Sequence, residues 1–423
     1  MLKVYRYLTY FLFPLLIVLI YLRKIFNKED QTRFKEKIYS SHFKPHKKKE
    51  KKLIWFHAAS IGECLSIIPL IEEINNSNKN INFLITTVTL SSSRLLEKKL
   101  VQYHNIEHRF FPLDIESLSD NFLTVWKPDL VCFVDSEIWP NFLFKIKEKN
   151  IPLILVNARI TKKSFYKWRI VLNFAKKVFN NFNLCLAANE GSKNYLNKLC
   201  VKNLKYIGNL KYSVKISLEK LEDSDEKILF NFKTWCAVST HKEEEALILK
   251  THLHVKKKYN NILTIIIPRH IIRSSYIKNL SNKFNLNSQI LNDGDSIKSN
   301  TEVLIINSFG VLSKYFNYCK TIFIGKSFIK KLENVSGQNP IEAAKFGCKI
   351  FHGPYVYNFQ EVYEHLKLLG IAQQVRNEIE LAKKITQNFE TKIIRDQNQV
   401  NILDDYGKKI LKGTVLEINK YLK

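Results

Sequence analysis

The sequence predicts an α/β protein with two Rossmann-like halves, because short apolar runs alternate with helix-like segments along most of the chain. Residues 53–56 and 130–134 are apolar at consecutive positions, which is typical of parallel strands covered on both faces. The chain has 423 residues, of which 45% are hydrophobic, enough for two domains that each have a core. We therefore expect two parallel sheets flanked by helices.

The chain begins with an apolar segment. Residues 7–22 carry no charge and are at the short limit of the roughly 17–25 residues that cross a bilayer. A secretory signal is the alternative, but no small-residue cleavage site follows, and Arg23 and Lys24 come directly after. Because Lys and Arg are denser after this segment than before it, the body is expected on the cytoplasmic side. Residues 1–26 are thus predicted to be an uncleaved membrane anchor, and Pro14 leaves open whether it spans the bilayer or lies partly in one leaflet.

The first predicted domain covers residues 27–212. Its opening unit is a strand at 53–56, a turn at 60–62 and a helix in which Leu65, Ile68, Ile71 and Ile74 recur at helical spacing. Further strand-like runs follow in order at 83–87, 130–134, 153–156, 184–187 and 204–207. Helix candidates lie between them, at 91–99 and from Pro140, a favoured first helical residue.

The second predicted domain covers residues 231–423, after a charged linker at 213–230 that contains no run able to form a buried strand. Strand-like runs resume at 234–238, 262–267, 303–306, 321–324 and 349–351. The tail from Asn398 has helical spacing, and its return to the first domain stays open. Two such halves that face each other across a cleft are the GT-B architecture.

The net charge and the cysteine content indicate which binding partners and which cellular compartment to expect. Lys and Arg number 67 against 39 Asp and Glu, a net charge of +28 that suggests a lipid surface, a phosphorylated substrate or nucleic acid. Part of this charge reflects a chain-wide richness in Lys, Asn and Ile. Nucleic acid is disfavoured because the basic residues are dispersed, without an RNP-like or helix-turn-helix pattern. Seven scattered cysteines without a C-x-x-C pair indicate reduced core residues, and neither a disulfide nor a zinc site.

Charged residues follow three strands of the first half. Glu63 stands at the strand-to-helix junction after residue 56, Glu137 follows 130–134, and Lys211 follows 204–207. Glu63 is either a first-turn acid favoured by the helix dipole or a general base that projects into a cleft. Taken alone, each of these three residues is best interpreted as a solvent-exposed charge. Because the carboxyl ends of parallel strands share one edge, the three together predict a site.

The second half offers three further candidates, each with a structural alternative. Thr240 and Glu243 have the spacing of a capping box, and the same helix start suits a phosphate. Arg269, after a strand, is either a surface cation or a bidentate phosphate ligand. Asn339 as cap, Pro340 as first helical residue and Glu342 as the third have the pattern of another capping box, and a carboxylate at this helix start also suits ribose hydroxyls.

The motifs HAASIGE, TTVTLSSS, KPDLVCFVDSEIWPN, IPLILVNARI, IGNLKYS, VSTHKEEE, IIPRH and SGQNPIEAAKFGCKIFHGPYVYNF occur in this order along nearly the whole chain. Together they resemble the 3-deoxy-D-manno-octulosonic acid (Kdo) transferases of lipopolysaccharide synthesis. Each motif alone is modest, whereas eight in order are specific.

The resemblance implies an inverting, inner-membrane GT-B glycosyltransferase with CMP-Kdo as donor and the lipid A precursor (lipid IVA) as acceptor. It implies that Glu63 is the general base and that Glu137 and Lys211 stabilise the transition state. The stretches it assigns to CMP binding are Pro268 and Arg269, Phe309, Gly310 and Val311, and Asn339, Pro340, Ile341 and Glu342. No cofactor is implied. We also expect no metal, since no Asp-x-Asp stands in a loop where a metal-dependent transferase would place one.

Two departures from the family pattern fall in the second half. Val311 stands where the family usually has an acid, and Ser336-Gly337-Gln338 stands where it usually has Gly-Gly-His. The first removes a contact to the nucleotide or to its neighbouring backbone. Two other functions stay open: a GT-B transferase that uses another nucleotide-sugar, and a catalytically inactive, membrane-anchored anion-binding protein.

Overall fold

The structure is a computed structural model that describes residues 1–45, 51–216, 220–308, 310–391 and 397–422. It confirms the α/β class. The chain divides into two compact units, Met1–Val214 with Tyr406–Lys423, and Lys215–Asp405. Over the described ranges, each unit contains one seven-stranded sheet in which all paired strands are parallel.

The first unit contains the sheet order β3-β2-β1-β4-β5-β6-β7. Its strands are β1 Lys52–His57, β2 Ile81–Thr87, β3 Ile106–Phe110, β4 Leu130–Val134, β5 Leu153–Ala158, β6 Leu184–Ala187 and β7 Leu204–Tyr206. The chain direction across the sheet reverses between β1 and β4, so this is the point at which open α/β sheets place ligands. Strand β3 was not predicted, because its sequence IEHRF is largely polar and an edge strand needs less apolar cover.

The strands of this sheet alternate with helices, and one further helix precedes them. The helices are α1 Leu2–Ile25, α2 Ile61–Ser77, α3 Leu90–Leu100, α4 Glu116–Trp126, α5 Pro140–Glu148, α6 Lys162–Ile170, α7 Leu172–Phe179 and α8 Glu190–Lys198. Several begin at a Ser, Thr or Asn whose side chain accepts a backbone N–H of the first turn, as at Ser60 and Thr89. The core centres on Trp55, whose ring lies 4.9 Å from that of Phe122 and 5.6 Å from that of Phe142.

The second unit repeats the plan with the order β10-β11-β9-β8-β12-β13-β14. Its strands are β8 Lys233–Thr240, β9 Ile262–Pro268, β10 Ser288–Leu291, β11 Val303–Ile306, β12 Thr321–Ile324, β13 Lys349–His352 and β14 Ala372–Gln374. The corresponding reversal lies between β8 and β12. The edge strands β10 and β14 were not predicted, since they are short and mix polar with apolar residues.

The remaining helices are α9 Asp223–Phe230, α10 Glu244–Lys256, α11 Ser274–Lys283, α12 Leu312–Phe316, α13 Ile341–Lys345, α14 Gln360–Leu368, α15 Glu378–Glu390 and α16 Gln397–Asn419. Helix α9 lies within the segment expected to be a linker. It buries Leu229, and Asp225 accepts the N–H of Ile297 at 2.8 Å. In α16, Gly407 belongs to the first unit and approaches Tyr212 so closely that a Cβ would lie 2.2 Å from the Tyr212 carbonyl oxygen.

Candidate functional site

Glu63 lies in the first turn of α2, directly after β1, at the reversal point of the first sheet. Ser60 is the N-cap of this helix, and its hydroxyl donates to Glu63 Oε1 at 2.7 Å. The N–H of Ala59 donates to Glu63 Oε2 at 2.7 Å. The N–H of Glu63 donates to the Ser60 hydroxyl and the N–H of Ser60 donates to Glu63 Oε2, so a reciprocal capping box is also present and holds the carboxyl of Glu63 in one orientation.

The surroundings of Glu63 change its acidity. Burial, with the negative charges of Asp135 and Glu137, raises the pKa of Glu63 to about 7, while the hydrogen bonds from Ser60 and Ala59 act in the opposite direction. A carboxyl with a pKa near neutrality exchanges protons readily at physiological pH, which is what general acid–base catalysis requires. Capping and proton transfer are thus compatible uses of the same side chain.

Glu137 follows β4, the neighbour of β1 in the sheet. Its Oε2 accepts a hydrogen bond from Trp139 Nε1 at 2.8 Å and lies 3.2 Å from His57 Nε2. His57 is completely buried at the end of β1, its ring stacks on Phe111 at 3.8 Å, and its Nδ1 lies 3.0 Å from Thr86 Oγ1. The carboxylate is therefore held by two partners, while 17% of the Glu137 side chain stays exposed.

Lys211 lies in a short turn after β7 and forms a largely buried ion pair. Its Nζ lies 3.0 Å from Asp135 Oδ2. Asp135 has a φ of 55° and takes a second hydrogen bond from the side chain of Asn157. The Asn157 side chain also accepts the N–H of Leu210 at 2.8 Å, which joins β5 to the turn that carries Lys211.

The predicted trio therefore lies along one edge of one sheet. Glu63 and Glu137 follow adjacent strands, and Lys211 reaches the same edge through its bond to Asp135. Sequence reasoning missed Asp135, Asn157 and His57. Asp135 stood in the run Asp135-Ser136-Glu137 directly after a strand, so the strand-end signal was present but was assigned to Glu137 alone.

The reversal point of the second sheet is organised around Glu244, the first residue of α10. Its carboxylate accepts backbone N–H groups from His241 at 3.0 Å, Lys326 at 2.7 Å, Ser327 at 2.8 Å and Phe328 at 3.1 Å. Burial raises the pKa of Glu244, and these four donors oppose that rise. The carboxylate thus ties the turn after β12 to the turn after β8.

The capping box predicted for Thr240 and Glu243 is wrong. Helix α10 begins at Glu244, and Glu243 precedes it with a φ of 82° and without a side-chain capping bond. The reason is that the acid one residue later accepts the N–H of His241 and also reaches the turn after β12, so the helix starts later than local spacing indicates.

Cationic groups surround the same edge of the second sheet. Arg269 is exposed directly after β9, and its N–H donates to the carbonyl of Thr240 at 3.1 Å. Burial, followed by the charges of Lys326, His270 and Arg269, lowers the pKa of His241, although a hydrogen bond to the Ser239 carbonyl opposes this. This edge therefore carries a positive field, which suits an anionic ligand.

The other predicted nucleotide residues lie on loops of the second unit. Pro268 ends β9, and Gly310, with a φ of 76°, and Val311 precede α12 in the loop after β11. Strands β9 and β11 are neighbours, so these loops share one edge. Phe309 lies outside the described residues.

The segment from Asn339 to Glu342 forms the start of a short helix. The side chain of Asn339 accepts the N–H of Ile341 at 3.2 Å, but the capping box predicted here is wrong, because Pro340 occupies the N-cap position and no side-chain capping bond forms. Helix α13 begins at Ile341, so Pro340 precedes the helix and is not its first residue. The side-chain bond to Ile341 closes a turn over Pro340 and delays the helix by one position.

Within the described ranges, no group of three or more His, Cys, Asp or Glu residues has the arrangement of a metal site. All seven cysteines are free, and six are buried, with Cys200 exposed.

Comparison with known sequences identifies related proteins. A family model described as 3-deoxy-D-manno-octulosonic-acid transferase (kdotransferase) matches residues 32–214. The chain is 29% identical over 418 residues to the 3-deoxy-D-manno-octulosonic acid transferase of Rickettsia bellii, with 97% of this chain and 95% of the relative covered. It is 30% identical over 378 residues to that of Rickettsia prowazekii, with coverage of 88% and 80%. For the Haemophilus influenzae protein of the same description the identity is 27%, with coverage of 74% and 73%.

Solved structures share the fold. A glycosyltransferase from Rickettsia africae superposes with a TM-score of 0.58 at 12% identity, covering 88% of this chain and 99% of that one. A UDP-GlcNAc 2-epimerase from Neisseria meningitidis superposes with a TM-score of 0.56 at 16% identity, with coverage of 87% and 99%. At such identities the likeness concerns the fold alone, and it confirms the predicted GT-B class.

Proposed function

Because this chain belongs to the 3-deoxy-D-manno-octulosonic acid (Kdo) transferase family, we propose that it is an inverting glycosyltransferase that moves Kdo from CMP-Kdo to the lipid A precursor. Family membership makes it a glycosyltransferase. The donor, the acceptor, the stereochemistry and the residue roles are the content of the proposal. Its place would be early in lipopolysaccharide synthesis, when the first Kdo is attached to the lipid.

The observation that carries the mechanism is the pKa of Glu63, about 7, at the reversal point of the first sheet. Glu63 takes the proton of the acceptor hydroxyl, whose oxygen then forms a bond to the anomeric carbon of Kdo. The bond from that carbon to the phosphate oxygen breaks, and CMP leaves with the electron pair. One base on the face opposite the leaving group gives inversion.

Glu137 and Lys211 support the charge that develops during transfer. Glu137 is held by Trp139 and His57, so its carboxylate can face positive charge on the sugar ring without reorganising. Lys211 is positioned by Asp135 and supplies a cation to the negatively charged donor. Asp135 acts through Lys211 and is therefore a positioning residue.

The second unit supplies the nucleotide site of this proposal. Arg269 binds the phosphate, and the loops at Gly310–Val311 and Asn339–Glu342 contact the nucleoside. Val311 cannot accept a hydrogen bond through its side chain, so at this position only the backbone can bind a polar group of the ligand. The positive field around Arg269 and His270 favours the anionic donor.

Membrane association completes the proposal. Among the described residues, α1 is the one helix long and apolar enough for a bilayer. The acceptor is a phosphorylated lipid, so an enzyme at the inner membrane surface meets it where it resides. The net charge of +28 favours an anionic surface. We place the body on the cytoplasmic face, because Lys and Arg are denser after the apolar segment 7–22 than before it.

The decisive experiment is mass spectrometry of the lipid after incubation of the purified full-length protein with the lipid A precursor and CMP-Kdo. A parallel reaction contains UDP-sugars in place of CMP-Kdo. A mass gain equal to one or more Kdo units supports the proposal. A hexose or N-acetylhexosamine gain from a UDP-sugar would instead identify another GT-B transferase. If the lipid mass is unchanged with every donor, the result would support the alternative that the protein binds anions and has no transferase activity.

A further inference from the structure

The N-terminal half of α1 is attached to the first unit by polar side chains. The hydroxyl of Tyr5 donates to Asp114 Oδ2 at 2.8 Å. Asp114 is buried and also accepts the N–H groups that begin α5, so this contact reaches into the body of the unit. Arg6 forms an ion pair with Glu116 at 2.8 Å, and Thr9 accepts a hydrogen bond from Asn141 at 3.4 Å.

The C-terminal half of α1 is attached as well. Ile20 is only 5% exposed and packs in a cluster with Phe34 and Ile38. Arg23 forms an ion pair with the buried Glu29 at 2.7 Å. Contacts thus run from Tyr5 to Arg23, which is a helix length of about 27 Å at 1.5 Å per residue.

The opposite face of α1 is apolar and exposed. Phe11 is 75% exposed and Ile25 is 71% exposed. Exposed hydrophobic side chains recur every three or four residues along this face, and we call them the α1 stripe: Val4, Leu8, Phe11, Leu15, Val18, Leu22 and Ile25. A contiguous apolar stripe of this length marks a contact with a membrane or another apolar partner.

A helix docked in this way is incompatible with a perpendicular crossing of the bilayer. The docked length of about 27 Å is close to the roughly 30 Å of hydrocarbon, so a crossing helix would carry the first unit into the membrane with it. Asp114, Glu116 and Asn141 would then lie at membrane depth, where charged and polar groups are costly. Spanning would require all these contacts to break.

We infer that α1 lies in the plane of one leaflet, with the α1 stripe in the acyl region and the docked face, which carries Tyr5, Arg6 and Ile20, on the first unit. An in-plane helix usually turns its polar face to the headgroups, and here the protein body takes that place. Lys3 and Lys28 are exposed at the two ends, where both reach the same layer of anionic headgroups. The inference rests on the membrane association proposed above and changes its form from a span to a surface anchor.

The first test determines on which side of the bilayer the N-terminus lies. Full-length protein is added to sealed vesicles of phosphatidylethanolamine and phosphatidylglycerol, and a membrane-impermeant maleimide is added outside. Cys200 is the exposed native thiol and reports the position of the body. In a Cys200→Ser background, Lys3→Cys should react as completely as Cys200 does in the wild type, because both lie outside. Protection of Lys3→Cys until detergent is added would overturn the inference.

The second test determines whether the α1 stripe holds the protein on the membrane. Phe11→Glu should lower the ratio of vesicle-bound to free protein at least tenfold, because it puts a charge into the acyl region. The matched control is Leu368→Glu, which places the same charge on an 87% exposed hydrophobic residue of the second unit and should leave binding unchanged. Unchanged binding of Phe11→Glu, or wild-type protein that does not bind, would overturn the inference.

Both readouts are independent of catalysis. A protein that binds vesicles in the expected way but transfers no Kdo would contradict the proposed function and leave the surface anchor intact. A protein that transfers Kdo while Lys3→Cys is protected would support the proposed function and contradict the surface anchor.

Discussion

The two sheets have the same strand plan but opposite charge at their reversal points. In the first unit, this point carries Glu63, Asp135 and Glu137, and their mutual repulsion contributes to a pKa of about 7 for Glu63. In the second unit, the acid Glu244 is bound by four backbone N–H groups. Cationic groups near that point are those of Arg269, His270 and Lys326, and together with burial, the larger cause, they lower the pKa of His241.

The difference shows how one fold supplies two kinds of chemistry. Both edges collect the ends of parallel strands and the charged side chains that follow them, which is a property of the fold. A carboxylate left with few donors near other carboxylates becomes a base, whereas a carboxylate saturated by N–H groups becomes a structural link. The first edge therefore suits proton transfer, and the second suits a phosphate.

Replacement of Glu63 tests the acidic edge most directly. Glu63→Gln should lower kcat by about 10²–10⁴-fold, because the amide cannot take the acceptor proton, while CMP-Kdo binding stays unchanged. Glu73→Gln, on the exposed face of the same helix, is the matched control and should retain full activity. Initial rates measure the change in kcat. Calorimetric titration with CMP, the nucleotide part of the donor, measures binding. A Gln variant within a few fold of the wild-type rate would remove Glu63 from the role of base.

Replacement of Arg269 tests the cationic edge. Arg269→Ala should weaken CMP binding by about 10–100-fold, since a hydrogen bond to a charged group contributes about 1.5–3 kcal/mol. Arg376→Ala is the control, because Arg376 is also in the second unit, with a side chain 83% exposed and paired with Glu380. Calorimetry with CMP at fixed ionic strength gives both dissociation constants. Equal affinities of the two variants would mean that the phosphate binds elsewhere.

Replacement of Glu244 tests whether this acid is a structural link. In Glu244→Gln the side-chain NH₂ would face backbone donors, so the amides of Lys326, Ser327 and Phe328 should exchange with solvent on the order of tenfold faster. Hydrogen exchange read by mass spectrometry resolves this segment. Glu243→Gln, at a side chain 57% exposed, should leave exchange unaltered. Unaltered exchange in Glu244→Gln as well would contradict the comparison between the two edges.

The smallest effect concerns pH. Glu63 must be ionised to act as a base, so kcat should rise as the pH passes about 7, the raised pKa of its carboxyl. Asp135→Asn removes one of the charges responsible for this raised pKa. It should therefore move the rising limb of the pH–kcat profile to lower pH by about one unit. Asp120→Asn, at an exposed acid that pairs with Lys149, should leave the limb in place. A limb that stays in place in Asp135→Asn, or moves upward, would show that another group titrates.

The central strands and the predicted trio followed from the sequence for a simple reason. Strands such as β1 and β4 are buried on both faces and therefore apolar at every position, and a parallel sheet collects its strand ends on one edge. Edge strands such as β3 and β10 were not predicted, because an edge strand has a neighbouring strand on one side only and can therefore carry polar residues. The start of α10 was misplaced because Glu244 is bound by a turn more than 80 residues further along the chain.

The sequence by itself determined the two α/β halves, the apolar N-terminal helix and the positions of Glu63, Glu137 and Lys211 at strand ends, because these depend on local periodicity. Only the tertiary structure decided that β1 lies beside β4, which brings Asp135 and Glu137 close enough to raise the pKa of Glu63. It also decided that α1 docks through Tyr5 on Asp114, 109 residues away. Strand order and docking depend on contacts between distant segments, and local periodicity carries no record of them.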